Sequence, residues 1–123
     1  MKTEIDWRDK HGESISFEKW IELLNDNTYR VIGLTGGKIR VSTVWLGSSH
    51  GQNDKGASLI FETMVFGGPG DGECVRYATE KEAAHGHLLM ASKYVEGMEE
   101  LLYELKAEIK RRKKSEAPKE NAP

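Results

Sequence analysis

The sequence predicts an α+β fold: a short N-terminal helix, a four-stranded antiparallel meander sheet and a long C-terminal helix. Three observations carry the prediction. Across residues 79–113 there is no proline, and Ala84, Leu88, Ala91, Val95, Met98, Leu102, Leu105 and Ile109 recur at alternating steps of four and three. An apolar repeat averaging about 3.5 residues is the mark of a helix that meets another helix along its length. Upstream, four runs rich in β-branched and aromatic residues follow one another with only glycine-rich or polar turns between them. With no crossover helix between the runs, an antiparallel meander follows. Ahead of the runs, Phe17, Trp20, Ile21 and Leu24 share one face of a short amphipathic helix.

Taken in order, residues 1–13 are polar, with Ile5 and Trp7 as isolated apolar residues, and read as an arm laid on the domain. Ser16 is the helix N-cap, and Ile15 and Trp20 stand at the two positions of a hydrophobic staple. Asn25, Asp26 and Asn27 stop the helix. The strands are then residues 29–34, 38–46, 58–66 and 73–77, the third being the most apolar. Gly36-Gly37 is a hairpin signal, residues 47–57 form a long polar loop, and residues 67–72 a glycine-rich turn.

Thr79 and Glu82 make a capping box at the start of the C-terminal helix. Glu80 and Glu82 suit the positive end of its dipole, and Lys106, Lys110, Arg111, Arg112 and Lys113 the negative end. At ~1.5 Å per residue this helix would span about 50 Å. That is more than a domain of this size can cover, so its distal half is expected to project and find a partner. Gly86 and Gly97 lie off the seam, where close packing does not account for them, and each costs roughly 1 kcal/mol relative to alanine. The chain divides into residues 1–78 (arm, short helix and sheet), 79–114 (long helix) and a tail, 115–123, of disorder-like composition.

Composition bounds the function. The length of 123 residues fits one domain, and 37% hydrophobic residues with three Trp suffice for a modest core. A net charge of −2 argues against a general nucleic-acid binder. The single cysteine, Cys74, excludes an internal disulfide and a Cys-rich zinc site. It reads as a small core residue in a protein of a reducing cytoplasm. The opening residues carry acids where a secretory leader needs an apolar run, and no stretch is apolar enough to cross a membrane.

Glu62 is the oddest residue, a carboxylate in the middle of the most apolar strand. It is either a ligand contact or general base, or half of a cross-strand ion pair with Arg76 or Arg40. His50, in the loop beside Ser48 and Ser49, is placed for binding or proton transfer. His85 and His87 flank Gly86 and point to different faces, so they are not an i,i+4 metal pair. A metal site would need His50, His87 and Glu62 to converge; none is assigned. No nucleophile elbow, phosphate-binding P-loop, HExxH or CxxC motif is present, and no cofactor is expected. Trp45, His50, Arg76 and Tyr77 offer stacking and charge-assisted hydrogen bonds to a nucleotide-type ligand, with Glu62 and His87 as further contacts.

The strings VSTVWLG…H at residues 41–50, LIFETMVFGG…DGE at 59–73 and RYATEKEA..GH at 76–87 resemble a family of small bacteriophage and prophage proteins. The similarity begins near DWRDKHG at residues 6–12 and extends to about Met90. Family members usually carry an acidic residue just before the loop histidine, where this chain has Ser49. The resemblance implies a phage origin and brings no established activity with it.

These readings lead to a non-enzymatic phage accessory protein in the cytoplasm of the infected bacterium. It is expected to form a homo-oligomer, a dimer first of all, through Leu88, Ala91, Val95, Met98, Leu102, Leu105 and Ile109. Its sheet and loops would bind a host protein or a small nucleotide-type ligand, as a host-defence inhibitor. The alternatives are a small hydrolase using His50 with Glu62 or His87, and a nucleic-acid or virion-associated structural protein using the basic helix end.

Overall fold

Ser16 opens the first helix as its position predicts. Its backbone is extended and its hydroxyl accepts from the Lys19 N–H at 3.1 Å, so α1 runs Phe17–Leu24. Asp26 then caps a second helix, α2, the single turn Asn27–Arg30, by accepting from the Thr28 and Tyr29 N–H groups. The first strand therefore starts at Val31, not at residue 29. The strands are β1 (Val31–Gly36), β2 (Arg40–Trp45), β3 (Phe61–Phe66) and β4 (Cys74–Tyr77), followed by helices α3 (Glu80–Tyr94) and α4 (Met98–Glu116). This computed structural model describes residues 5–95 and 97–116. The sheet is an antiparallel meander in the order β1-β2-β3-β4.

The register decides which side chains meet. Val41 lies opposite Val65, Thr43 opposite Thr63 and Trp45 opposite Phe61. Strand side chains alternate, so these six share one face, and all six are buried. Helix α3 lies across that face and contacts all four strands. It buries Ala83, His87, Met90 and Ala91 there. Two apolar clusters result. Val41, Val65, Met90 and Ala91 pack with Ile39, Tyr94 and Val95 at one end. At the other end Trp45, Ile60, Phe61 and Ala83 pack with Ile15, Trp20 and Leu24, among others. Helix α1 closes this second end, where the Trp20 indole N–H donates to the Leu46 carbonyl at 2.9 Å. Its half-buried stripe is Trp20, Leu23 and Leu24; Phe17 and Ile21 are exposed, with Phe17 resting against Trp7.

The C-terminal helix is not one rod. Val95 is extended (φ −100°, ψ 122°) and Gly97 has φ +83°, so α3 ends before α4 begins. A left-handed residue cannot continue an α-helix, and glycine adopts it without strain. The Val95 side chain packs into the Val41 cluster and holds the break in place. The apolar seam is therefore split. Ala91 and Val95 are spent on the chain's own sheet, Leu88 is half-buried and Ala84 is exposed. Among the described residues, helix α4 contacts α3 and no strand. Its Tyr103 and Ile109 are exposed, while the side chains of Met98, Leu102 and Leu105 lie outside the described ones. Helix α4 continues through Ser115 and Glu116, and the remainder of the expected tail, 117–123, lies outside the described residues.

Two further expectations are corrected. Gly86 is a packing residue after all: a Cβ there would sit 2.1 Å from the Tyr77 hydroxyl, so the helix crosses β4 at this point. Cys74 is exposed, because it faces away from α3 on the short outer strand. Among the described residues, no helix is long and apolar enough to cross a membrane.

Candidate functional site

Between the two apolar clusters runs a buried polar layer. The His87 Nδ1 lies 2.7 Å from Thr43 Oγ1 and its Nε2 lies 2.8 Å from Thr35 Oγ1. Thr43 Oγ1 is in turn 2.5 Å from Thr63 Oγ1. Burial pushes the His87 pKa below its ordinary value. A neutral imidazole is one donor and one acceptor, and the threonine hydroxyls can serve either role, so the layer is satisfied. At 6% exposure His87 is a structural tie between α3 and three strands.

Glu62 stands on the opposite face of the sheet, directly across from Arg76, with the Arg76 Nε–Glu62 Oε2 distance 3.1 Å. Among the described residues no helix covers this face. Leu34 and Phe66 are exposed on it, and the Arg40 guanidinium stacks on the Phe66 ring at 5.5 Å. Cys74 lies beside Glu62, and partial desolvation of its sulfur together with that carboxylate raises the thiol pKa, which suppresses the thiolate. Glu62 and His87 are thus separated by the sheet, and no hydrogen bond or ion pair joins His50 to either among the described residues. His50 is exposed, with its Nε2 3.2 Å from Ser48 Oγ.

Trp45 is fully buried, so its ring cannot stack on a ligand. Its indole N–H donates to the Arg8 carbonyl at 3.1 Å, and the Arg8 N–H donates to the Gly47 carbonyl at 2.7 Å. The Lys10 N–H donates to the Tyr29 hydroxyl at 2.8 Å. These bonds fix the N-terminal arm against the end of the sheet. They also hold the Arg8 side chain, whose Nε donates to Asp6 Oδ2 at 2.6 Å and whose Nη1 donates to the Gly12 carbonyl at 2.7 Å. Facing the arm, the loop after β2 is kept in shape by Asn53, whose side-chain oxygen accepts from the Lys55 and Ala57 N–H groups.

Arm, loop and the start of α3 enclose a cleft of about 330 Å³ lined by Asp6, Arg8, His11, Gln52, Ser58 and Thr79, among others. A groove of about 510 Å³ shares its Ala57, Ala78 and Thr79 wall and adds Lys55 and Glu82. The cleft lies within the size range of small-molecule sites, about 300–1,000 Å³, and several polar side chains converge on it. Arg8, His11, Gln52 and Ser58 can donate to a phosphate or sugar, while Asp6 can accept. None of these residues stands out in the sequence. The only hint was that the DWRDKHG string and the Thr79 capping box belong to one resemblance, without any indication that they touch. The glycine-rich 67–72 turn has its own use: the Gly67 N–H donates to Asp71 Oδ1 at 2.7 Å and the Gly72 N–H to the Val65 carbonyl at 2.8 Å.

Comparison with protein-family models, with curated proteins and with solved structures finds no match to this chain.

Proposed function

We propose that the protein is a bacteriophage accessory protein that acts by binding, not by turnover, in the cytoplasm of the infected bacterium. It self-associates through its C-terminal helix and holds a small nucleotide-type ligand in the cleft at Arg8 and Ser58. Withholding a nucleotide signal from a host defence pathway is the role such binding would serve. The observation that carries this reading is the cleft itself. Three chain segments far apart in sequence bring a guanidinium, an imidazole, an amide and two hydroxyls to one concave surface. The residues a hydrolase would draw on are dispersed instead: His87 is tied into the core, and Glu62 is paired with Arg76 across the sheet.

The test is a thermal-shift panel of linear and cyclic mono- and dinucleotides on the full chain. Binding in the cleft raises the Tm with some members, and the rise disappears in His11→Ala and in Ser58→Ala, the second of which also removes the Ser58 hydroxyl's bond to Asp6 of the arm. A panel without any shift counts against the ligand.

A second reading is favoured by the uncovered sheet face, where Leu34 and Phe66 are 61% and 41% exposed. A host protein docking there would be retained from infected-cell extract by the parent and lost with Leu34→Glu. Retention by both would reject this use of the face.

A further inference from the structure

The charges lining the cleft and its adjoining groove are unequally committed. In the cleft, Arg8 is balanced where it stands: its Nε donates to Asp6 Oδ2 at 2.6 Å and its Nη1 to the Gly12 carbonyl at 2.7 Å. Its neighbour on the arm, Lys10, is held 3.2 Å from Glu80 Oε2. What the cleft offers a ligand is therefore hydrogen bonding more than charge. The His11 ring, the Gln52 amide and the Ser58 hydroxyl supply it, the last with only a long bond of its own, 3.5 Å to Asp6 Oδ2. The groove differs. Its charged lining residues are Asp54, Lys55 and Glu82. The Lys55 backbone N–H donates to Asn53 Oδ1 at 2.9 Å, which shapes the loop, and the residue is exposed. Among the described residues no carboxylate pairs with its ammonium group.

We propose that the ligand is a nucleoside monophosphate, with base and ribose in the cleft and its single phosphate in the groove against Lys55. The inference rests on the nucleotide reading above and names the ligand class. Cleft and groove adjoin along Ala57, Ala78 and Thr79, so one molecule can occupy both. Base and ribose present uncharged donors and acceptors, which the His11, Gln52 and Ser58 side chains match. At about 330 Å³ the cleft stands at the small end of ligand sites, which suits one nucleoside and not two. A phosphate is held best by a cation whose charge is not already balanced, and in this lining that cation is Lys55. A second or third phosphate would find no further unbalanced cation among the described lining residues. It would face Asp54 and Glu82 instead, and like charges repel.

The test is isothermal titration calorimetry on the full chain, at fixed ionic strength and with a chelator present so that no divalent cation bridges phosphate to carboxylate. The probes are adenosine, guanosine, cytidine and uridine, each as nucleoside, 5′-monophosphate and 5′-triphosphate. For the base that binds, the monophosphate is expected to bind about fivefold tighter than the nucleoside, the scale of one exposed ion pair. The triphosphate is expected to bind no tighter than the monophosphate. Lys55→Ala, which keeps the backbone bond to Asn53, should bring the monophosphate down to the affinity of the nucleoside and leave the nucleoside unchanged. His11→Ala should weaken both by the same factor. A monophosphate no tighter than its nucleoside, a triphosphate that binds tightest, or a phosphate increment that survives Lys55→Ala overturns the proposal and leaves the nucleoside reading of the cleft standing. Binding by none of these probes overturns the nucleotide reading and this inference with it.

Discussion

The His87 ring lies against the bare backbone of Gly33: a Cβ built on Gly33 would stand 2.8 Å from both Cδ2 and Nε2 of the imidazole. Helix α3 and β1 meet at van der Waals distance here, and the ring cannot retreat without breaking its bonds to Thr43 and Thr35. Gly33→Ala is therefore expected to cost about 1–3 kcal/mol, the range for overpacking a core. Denaturant unfolding of parent and variant measures it, and equal stabilities would show that α3 can slide to make room.

The same residue sets a pH dependence. Burial lowers the folded-state pKa of His87, while the unfolded chain takes up its proton near the ordinary value of about 6.5. Between those two values the unfolded state binds more protons, so stability falls as pH falls. The contribution is complete above about pH 6.5 and is lost below it with a slope of at most about 1.4 kcal/mol per pH unit. Unfolding free energies at pH 7.5 and pH 5 should differ more in the parent than in His87→Leu. The variant is less stable at both, because Thr35 and Thr43 lose their partner. An identical pH slope in the two proteins would mean that His87 is solvated.

Gly86 gives a sign test. At an open helix position Gly→Ala gains about 1 kcal/mol. With the Tyr77 ring pressed on Gly86, Gly86→Ala should destabilise instead. Combined with Tyr77→Ala, the same change should become neutral or stabilising. A stabilising Gly86→Ala in the parent background would contradict the crossing geometry.

The Glu62–Arg76 pair should matter little to stability. The Arg76 side chain is 43% exposed, and exposed ion pairs contribute about 0–1 kcal/mol. Arg76→Ala is expected to fall within that range by denaturant unfolding. A loss above about 2 kcal/mol would show Glu62 to be a buried charge held by its only counter-ion.

The hinge is tested at Gly97. Its φ of +83° is a conformation that costs other residues about 1–2 kcal/mol. Gly97→Ala should either lower stability by that amount or straighten the break, with a rise in helical circular dichroism. A variant unchanged in both would place the break elsewhere.

What the sequence made legible is what local chemistry decides. Ser16 and Thr79 cap their helices because a hydroxyl needs only the N–H three residues on. The meander follows from β-branched runs joined by turns and loops with no crossover helix between them. Glu62 could be given Arg76 or Arg40 as its partner in advance, because neighbouring strands leave few registers, and the register chooses Arg76. The rest depended on contacts distant along the chain. A 3.5-residue seam does not say whether it faces a sheet or another helix, so Ala91 and Val95 were assigned to a partner when their own sheet takes them. The spacing was also silent about the helix break between Tyr94 and Met98. Asp26 was read as a stop because a cap and a breaker share composition. Gly33 and Gly86 show their purpose only beside His87 and Tyr77, and Arg8 meets Ser58 only once the arm has docked on Trp45.

The central claim is that the cleft between the arm, the 51–58 loop and the start of α3 receives a small nucleotide-type ligand. The most direct measurement is backbone amide NMR of the isotope-labelled full chain, titrated with the nucleotide giving the largest thermal shift. Saturable shifts should concentrate at residues 8–12, 52–58 and 78–80 and vanish with Ser58→Ala. Shifts confined to the open sheet face at Leu34 and Phe66, or none at millimolar nucleotide, would contradict it.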